Sequence, residues 1–168
     1  MKKFTYRSDR RTRYITAAML LAMSSLGIGL MLFYDGGFFS TWYLTLILAL
    51  LALAALSIPR SIVITDSSIE VRCLCNLIEI ETSDIVSVRR VSRDELRLFP
   101  LMGIWGVFGY YGRYFDRRNM MTVQLYATRW DDFIEIVDSS DEYYYLSTDR
   151  ADELLSAIRI CLPDKAAA

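Results

Sequence analysis

From Tyr14 to Pro59 the chain carries one charged side chain, Asp35. A helix facing water needs a polar face, and forty-six residues with a single charge do not supply one. The stretch divides into two apolar runs. Tyr14–Tyr34 is uncharged over 21 residues, and as a helix it covers about 31 Å, close to the hydrocarbon thickness of a bilayer. The second run, Trp42–Ile58, is shorter, and Pro59 ends it. The intervening DGGFFST has two glycines and the one acid, a composition for a tight turn in water. The pattern predicts a transmembrane hairpin, with helices over residues 14–34 and 42–59 and an external turn over 35–41. A cleaved signal peptide is the competing reading of residues 1–34. The apolar run is longer than a usual signal core, and no A-x-A-like site follows it. Ser24, Ser25, Gly27 and Gly29 form a small-residue patch that fits the second helix of the same hairpin or a second copy of the chain.

Charge on the flanks sets the orientation. Residues 1–13 hold Lys2, Lys3, Arg7, Arg10, Arg11 and Arg13 against Asp9, a net +5, and Arg60 follows the second run. The turn has no Lys or Arg. Positive-inside bias therefore predicts a multi-pass protein of the cell membrane with both termini cytoplasmic. The chain as a whole is 54% hydrophobic, with net charge -1, which argues against nucleic acid as a partner. There is no histidine, so Ser-His-Asp triads, His-ligated metals and His switches are excluded. Three cysteines are too few for a disulfide scaffold. Cys73 and Cys75 would share one strand face, and with Cys161 they read as reduced thiols. No cofactor or metal is expected.

After Arg60 the texture changes. SIVIT (61–65), IEVRC (69–73), LIEIE (77–81), DIVSVRRV (84–91), 120–127, 133–137 and 142–146 are short, β-branched or alternating, and most are separated by polar turns. They predict about seven antiparallel strands in a sandwich or barrel. Ala151, Leu154, Leu155, Ile158 and Leu162 then follow helical spacing, with Thr148 and Asp149 as candidate caps and Pro163 as the stop. That helix is placed to close one end of the barrel. The domain is expected over residues 60–163, with a tail over 164–168.

Two helices, seven strands and a closing helix, together with GIWGVFGYYGRY (103–114), VQLYAT (123–128) and YYYLSTDRADELLSAI (143–158), resemble the membrane-anchored bacterial pleckstrin-homology-like (PH-like) proteins. The resemblance covers about residues 61–162. It implies a PH-like barrel, with no shared catalytic residues and no common ligand, so the fold name brings no phosphoinositide with it.

The segment with most potential chemistry is LFPLMGIWGVFGYYG (98–112), which has no charge, four glycines and five aromatics. Arginines flank it. From Arg89 to Arg118 the balance is +4, and from Asn119 onward it is -6. Three uses are open. The segment can pack into the domain. It can face the bilayer, with Trp105, Phe108, Tyr110 and Tyr111 in the interface and Arg89, Arg90, Arg97, Arg113, Arg117 and Arg118 on anionic lipid. It can also hold a protein partner. The acid pairs Asp94-Glu95 and Asp131-Asp132 read as solvated turns, since neighbouring carboxylates diverge. The chain is thus expected to be a non-catalytic interaction or scaffold module at the cytoplasmic membrane surface, its partners the bilayer and a membrane or cytoplasmic protein, with a homo-oligomer open. An anionic-lipid sensor is the alternative, and a membrane hydrolase a remote one.

Overall fold

The computed structural model describes residues 2–6, 9–33, 37–74 and 76–162, without the side chains of Phe39 and Ser40. The chain opens with a strand, β1 (Lys2–Thr5), and continues into helices α1 (Arg10–Phe33) and α2 (Phe38–Leu56). Nine strands follow: β2 (Pro59–Ile64), β3 (Ser68–Cys73), β4 (Leu77–Glu81), β5 (Ile85–Val91), β6 (Leu98–Trp105), β7 (Tyr110–Asp116), β8 (Met121–Ala127), β9 (Phe133–Asp138) and β10 (Tyr143–Ser147). Helix α3 (Ala151–Cys161) comes last. Of the expected 35–41 turn, residues 35 and 36 lie outside the described residues, as do Cys75, Pro163 and the 164–168 tail.

The strands form two sheets, in the orders β1-β2-β3-β4 and β5-β9-β10-β8-β7-β6. Four expectations need correction here. The described residues after α2 form nine strands and not about seven, because the glycine-aromatic stretch, which shows no polar alternation, itself pairs as β6 and β7. The sheets stay separate, with edges at β1, β4, β5 and β6, so no closed barrel forms. The pairing is not antiparallel throughout, because β10 lies parallel to β8. Alternation reports which side chains face the core, and it is silent on strand direction. The basic N-terminal segment also contains a strand: Phe4 of β1 is buried and pairs with Ile62. Four residues with one apolar side chain carry no periodic signal; β1 forms because it satisfies an edge of β2.

The first core lies between the sheets. Ile62, Ile64, Ile69 and Val71 meet Val88, Ile134, Ile136 and Leu146, and α3 inserts Ala151, Leu154, Ala157 and Ile158. The second core lies on the opposite face of the six-stranded sheet, which buries Val91, Leu98, Tyr110, Tyr114, Val123, Leu125, Phe133 and Tyr145. Tyr144 and Tyr145 point into the two different cores, as alternation along one strand requires. Thr148 does not cap α3 as expected from the sequence. The cap position is Arg150, whose N–H donates to Thr148 Oγ1 at 3.4 Å.

The two long helices differ from everything else in their surroundings. Gly27 of α1 faces Tyr43 and Leu44 of α2, while Leu21, Leu32, Phe33, Leu48 and Leu53 are exposed. By length and composition α1 is able to cross a membrane, and the apolar stretch 41–56 of α2 is shorter.

Candidate functional site

The glycine-aromatic segment is a β-hairpin, β6 and β7, at the edge of the six-stranded sheet. Glycine makes its central pairing possible. Gly103 stands opposite Gly112, whose φ is +118°. A Cβ on Gly112 would lie 2.6 Å from Gly103 Cα, and one on Gly103 would collide with the Tyr111 carbonyl. The aromatics near the tip pack on each other. Trp105 meets Trp130 with ring centroids 4.7 Å apart, and Tyr110 meets Trp130 at 4.6 Å.

The tip docks on the helices. The Phe108 N–H donates to Thr16 Oγ1 at 2.8 Å, and Gly106 lies against Ile15. The Tyr111 hydroxyl donates to the Ala54 carbonyl near the end of α2. Thr12 Oγ1 donates to the Thr128 carbonyl at 3.3 Å, and Tyr6 to the Tyr126 carbonyl at 3.0 Å. Burial pushes the Tyr111 and Tyr126 hydroxyls up, that of Tyr126 from 10.0 to about 12. Both stay neutral donors at physiological pH. The sequence reading missed Thr12 and Thr16. Their spacing of four in the first turns of α1 puts them on one face, which was the available signal.

The candidate arginines do not gather around the tip. Arg89 grips the buried Glu135 with two nitrogens, and Tyr145 donates to the same carboxylate at 2.6 Å. Arg90 pairs with Asp132 and Asp152. Both are committed to joining elements of the fold. Arg113 is exposed on β7, midway along the hairpin. Arg97, Arg117 and Arg118 stand at the hairpin's other end, where with Asp94, Glu95 and Phe99 they line a cleft of about 640 Å³. Arg118 and Arg89 each lie 3.9 Å from Glu95. Hydrogen bonds from the Ser92 backbone and hydroxyl hold the Glu95 carboxyl below its ordinary range. Among the described residues Arg97 and Arg117 make no ion pair with a side chain. From Tyr110 to Asp116 the strand covers about 20 Å, so tip and cleft are separate places.

A family model described as Bacterial PH domain matches residues 60–160. The chain belongs to the bacterial PH domain family. This is the family that the glycine-aromatic segment and closing helix resemble. No curated protein and no solved structure matches the chain. PH domains are in general interaction modules that bind lipids or proteins, without catalysis of their own. Three of the four acids in the two candidate pairs are engaged: Asp131 with Arg129 at 2.7 Å, Asp132 with Arg90, and Glu95 in a capping box with Ser92, while Asp94 lines the cleft. Among the described residues no cluster of three or more His, Cys, Asp or Glu is placed to hold a metal. The hairpin thus has two chemically different ends, an apolar one packed against the helices and an arginine-lined one whose planar donors suit carboxylate or phosphate oxygens.

Proposed function

We propose that this chain is a non-catalytic interaction module of the cytoplasmic membrane, whose PH domain is held in a fixed pose on a two-helix anchor. The observation that carries the reading is the bareness of the helices. Only 6% of the apolar window of α1 is buried, whereas a core helix of a soluble protein would be covered. Lipid is the solvent that suits such a surface.

Topology supports two crossings. Strand β1 precedes α1, β2 follows α2, and the two strands pair along their length, Lys2 with Ile64 and Thr5 with Ser61. Both ends of the helical pair therefore lie on the PH-domain side, which allows an even number of crossings. Arg10, Arg11, Arg13 and Arg60 stand at that level and favour the cytoplasm. The Arg97–Arg117–Arg118 cleft, a hairpin's length from the tip, is the surface offered to an anionic group of a protein partner.

Thiol accessibility in intact cells tests the anchor. A membrane-impermeant maleimide is expected to label Gly37→Cys from outside and to reach Met120→Cys only after permeabilisation. Labelling of both positions from the same side would overturn the two-crossing anchor. For the cleft, a photo-crosslinking residue at Phe99 is expected to trap a recurring protein adduct that Arg97→Ala/Arg117→Ala abolishes. An adduct pattern unchanged by those substitutions would reject the cleft as the partner site.

A further inference from the structure

Four exposed apolar side chains of this PH domain, Leu74, Leu77, Met102 and Trp105, lie on the side of the domain that meets α1 and α2, while Val86, Phe99, Met120 and Ile160 are exposed elsewhere. Register shows this placement. Pro59, directly after α2, pairs with Cys73, so the turn between β3 and β4 stands beside the exit of α2. The β6–β7 tip reaches the same level, because Phe108 and Gly106 lie on Thr16 and Ile15. Leu74 and Leu77 flank the first turn, Trp105 adjoins the second, and Met102 stands on β6 opposite Arg113, all four exposed, Met102 by 78%. Met102 also lines a cleft of about 270 Å³ with Ser57, Ile78, Ile104 and Tyr111 among others. The opposite end is mixed, with Val86 and Met120 exposed among polar turns. There Asp66, Ser67, Asp84 and Ser139 are joined by hydrogen bonds from Thr82 to the Ser67 and Asp66 carbonyls and from Ser139 to the Asp84 carbonyl.

We infer that Leu74 and Leu77, at the facing ends of β3 and β4, and Met102 and Trp105 of the β6–β7 hairpin form a bilayer-contacting rim that enters the lipid interface around the exit of α2. The inference rests on the membrane anchor proposed above and names the surface of the PH domain that meets the lipid. Two observations select lipid as the occupant. The hairpin touches the apolar runs themselves, with Phe108 and Gly106 on Thr16 and Ile15 of α1 and Tyr111 on Ala54 of α2. Arg13 and Tyr14, exposed at the start of α1, and Arg60, exposed at the start of β2, mark the headgroup level, where arginine and aromatic side chains are favoured. The anionic-lipid contact expected of the whole Arg-flanked segment is thereby confined to its tip, while Arg97, Arg117 and Arg118 face away at the far end of the hairpin.

The test uses the full chain in vesicles of phosphatidylcholine and phosphatidylglycerol, with the native cysteines replaced by serine. Single labels with an environment-sensitive fluorophore go on Leu77→Cys, Met102→Cys, Met120→Cys and Leu21→Cys, and aqueous iodide is the quencher. All four side chains are exposed or half-buried in the structure, so the labels leave the core intact. Quenching is expected to be several-fold weaker at positions 77 and 102 than at 120, and independent of the protein-to-lipid ratio. Equal quenching at 77, 102 and 120 with a shielded 21 would overturn the rim and leave the anchor standing. An accessible 21 would overturn both. Shielding of 77 and 102 that fades as the protein is diluted with lipid would assign the rim to a second copy of the chain and overturn the lipid contact.

Discussion

The two ends of the β6–β7 hairpin, one inside the uncharged stretch 98–112 and the other lined by arginines that flank it, live in opposite chemistries. At the tip, glycines allow backbone to approach backbone, tyrosines and tryptophans stack, and neutral hydrogen bonds reach Thr16 and Ala54. At the open end, three arginines line a solvent cleft, and two of them have no carboxylate partner among the described residues. The difference teaches that the hairpin acts as a spacer. It holds an apolar contact at one end and a charged surface about 20 Å away at the other.

The largest effect is expected where the hairpin's geometry depends on glycine. Gly112→Val places a branched side chain at φ +118° and against Gly103. The expected loss is about 3 kcal/mol or more, read as a drop in Tm in detergent or as failure to fold. Gly29→Ala in α1 is the control: its Cβ meets nothing within 4 Å, and no destabilisation is expected. Tolerance of Gly112→Val would break the proposed pairing.

Alkaline pH probes the tip through its tyrosines. Burial raises the Tyr126 hydroxyl from 10.0 to about 12, so the unfolded chain loses this proton first. Stability from this group is complete below pH 10 and declines as pH rises towards 12. Tyrosinate absorbance and loss of structure are expected to rise together above pH 10. Full tyrosine ionisation in a chain that stays folded would contradict the burial.

Smaller effects separate the two docking bonds. Thr16→Val leaves the Phe108 N–H without its acceptor and is expected to cost about 1–2 kcal/mol. Tyr111→Phe removes the donor to Ala54 and is expected to cost about 1 kcal/mol. Faster hydrogen exchange should follow at the tip in the first variant and at residues 54–57 in the second. At the other end Arg97→Ala/Arg117→Ala is expected to change stability by less than about 0.5 kcal/mol while removing partner contact. A large loss of Tm there would mean that the arginines hold the fold together.

Much of this was legible in the sequence. Alternation in IEVRC and LIEIE gave β3 and β4, and helical spacing from Ala151 to Ile158 gave α3 with its buried face. The apolar runs gave α1 and α2 within a few residues, although α1 begins at Arg10 because the Asp9 carboxylate accepts from the Thr12 N–H at 2.6 Å and caps its first turn. What stayed hidden was non-local. The KKFT segment carries one apolar residue, and its strand exists only beside β2. The parallel pairing of β10 with β8 leaves no trace in the period of either strand. The candidate arginines adjoin one segment in sequence, yet Arg89 and Arg90 are used by Glu135, Asp132 and Asp152 from distant elements. Proximity along the chain grouped residues that a hairpin then drew apart.

The central claim is that the PH domain is locked onto the helical pair through the tip, and one amide reports on it most directly. The Phe108 N–H, bonded to Thr16 Oγ1, should exchange slowly with deuterium in the full chain reconstituted in bilayers. In Thr16→Val it should exchange quickly, while the turn at residues 117–120 stays unchanged. Rapid exchange of Phe108 in the unaltered protein would show a domain that swings free of its helices and would contradict the account.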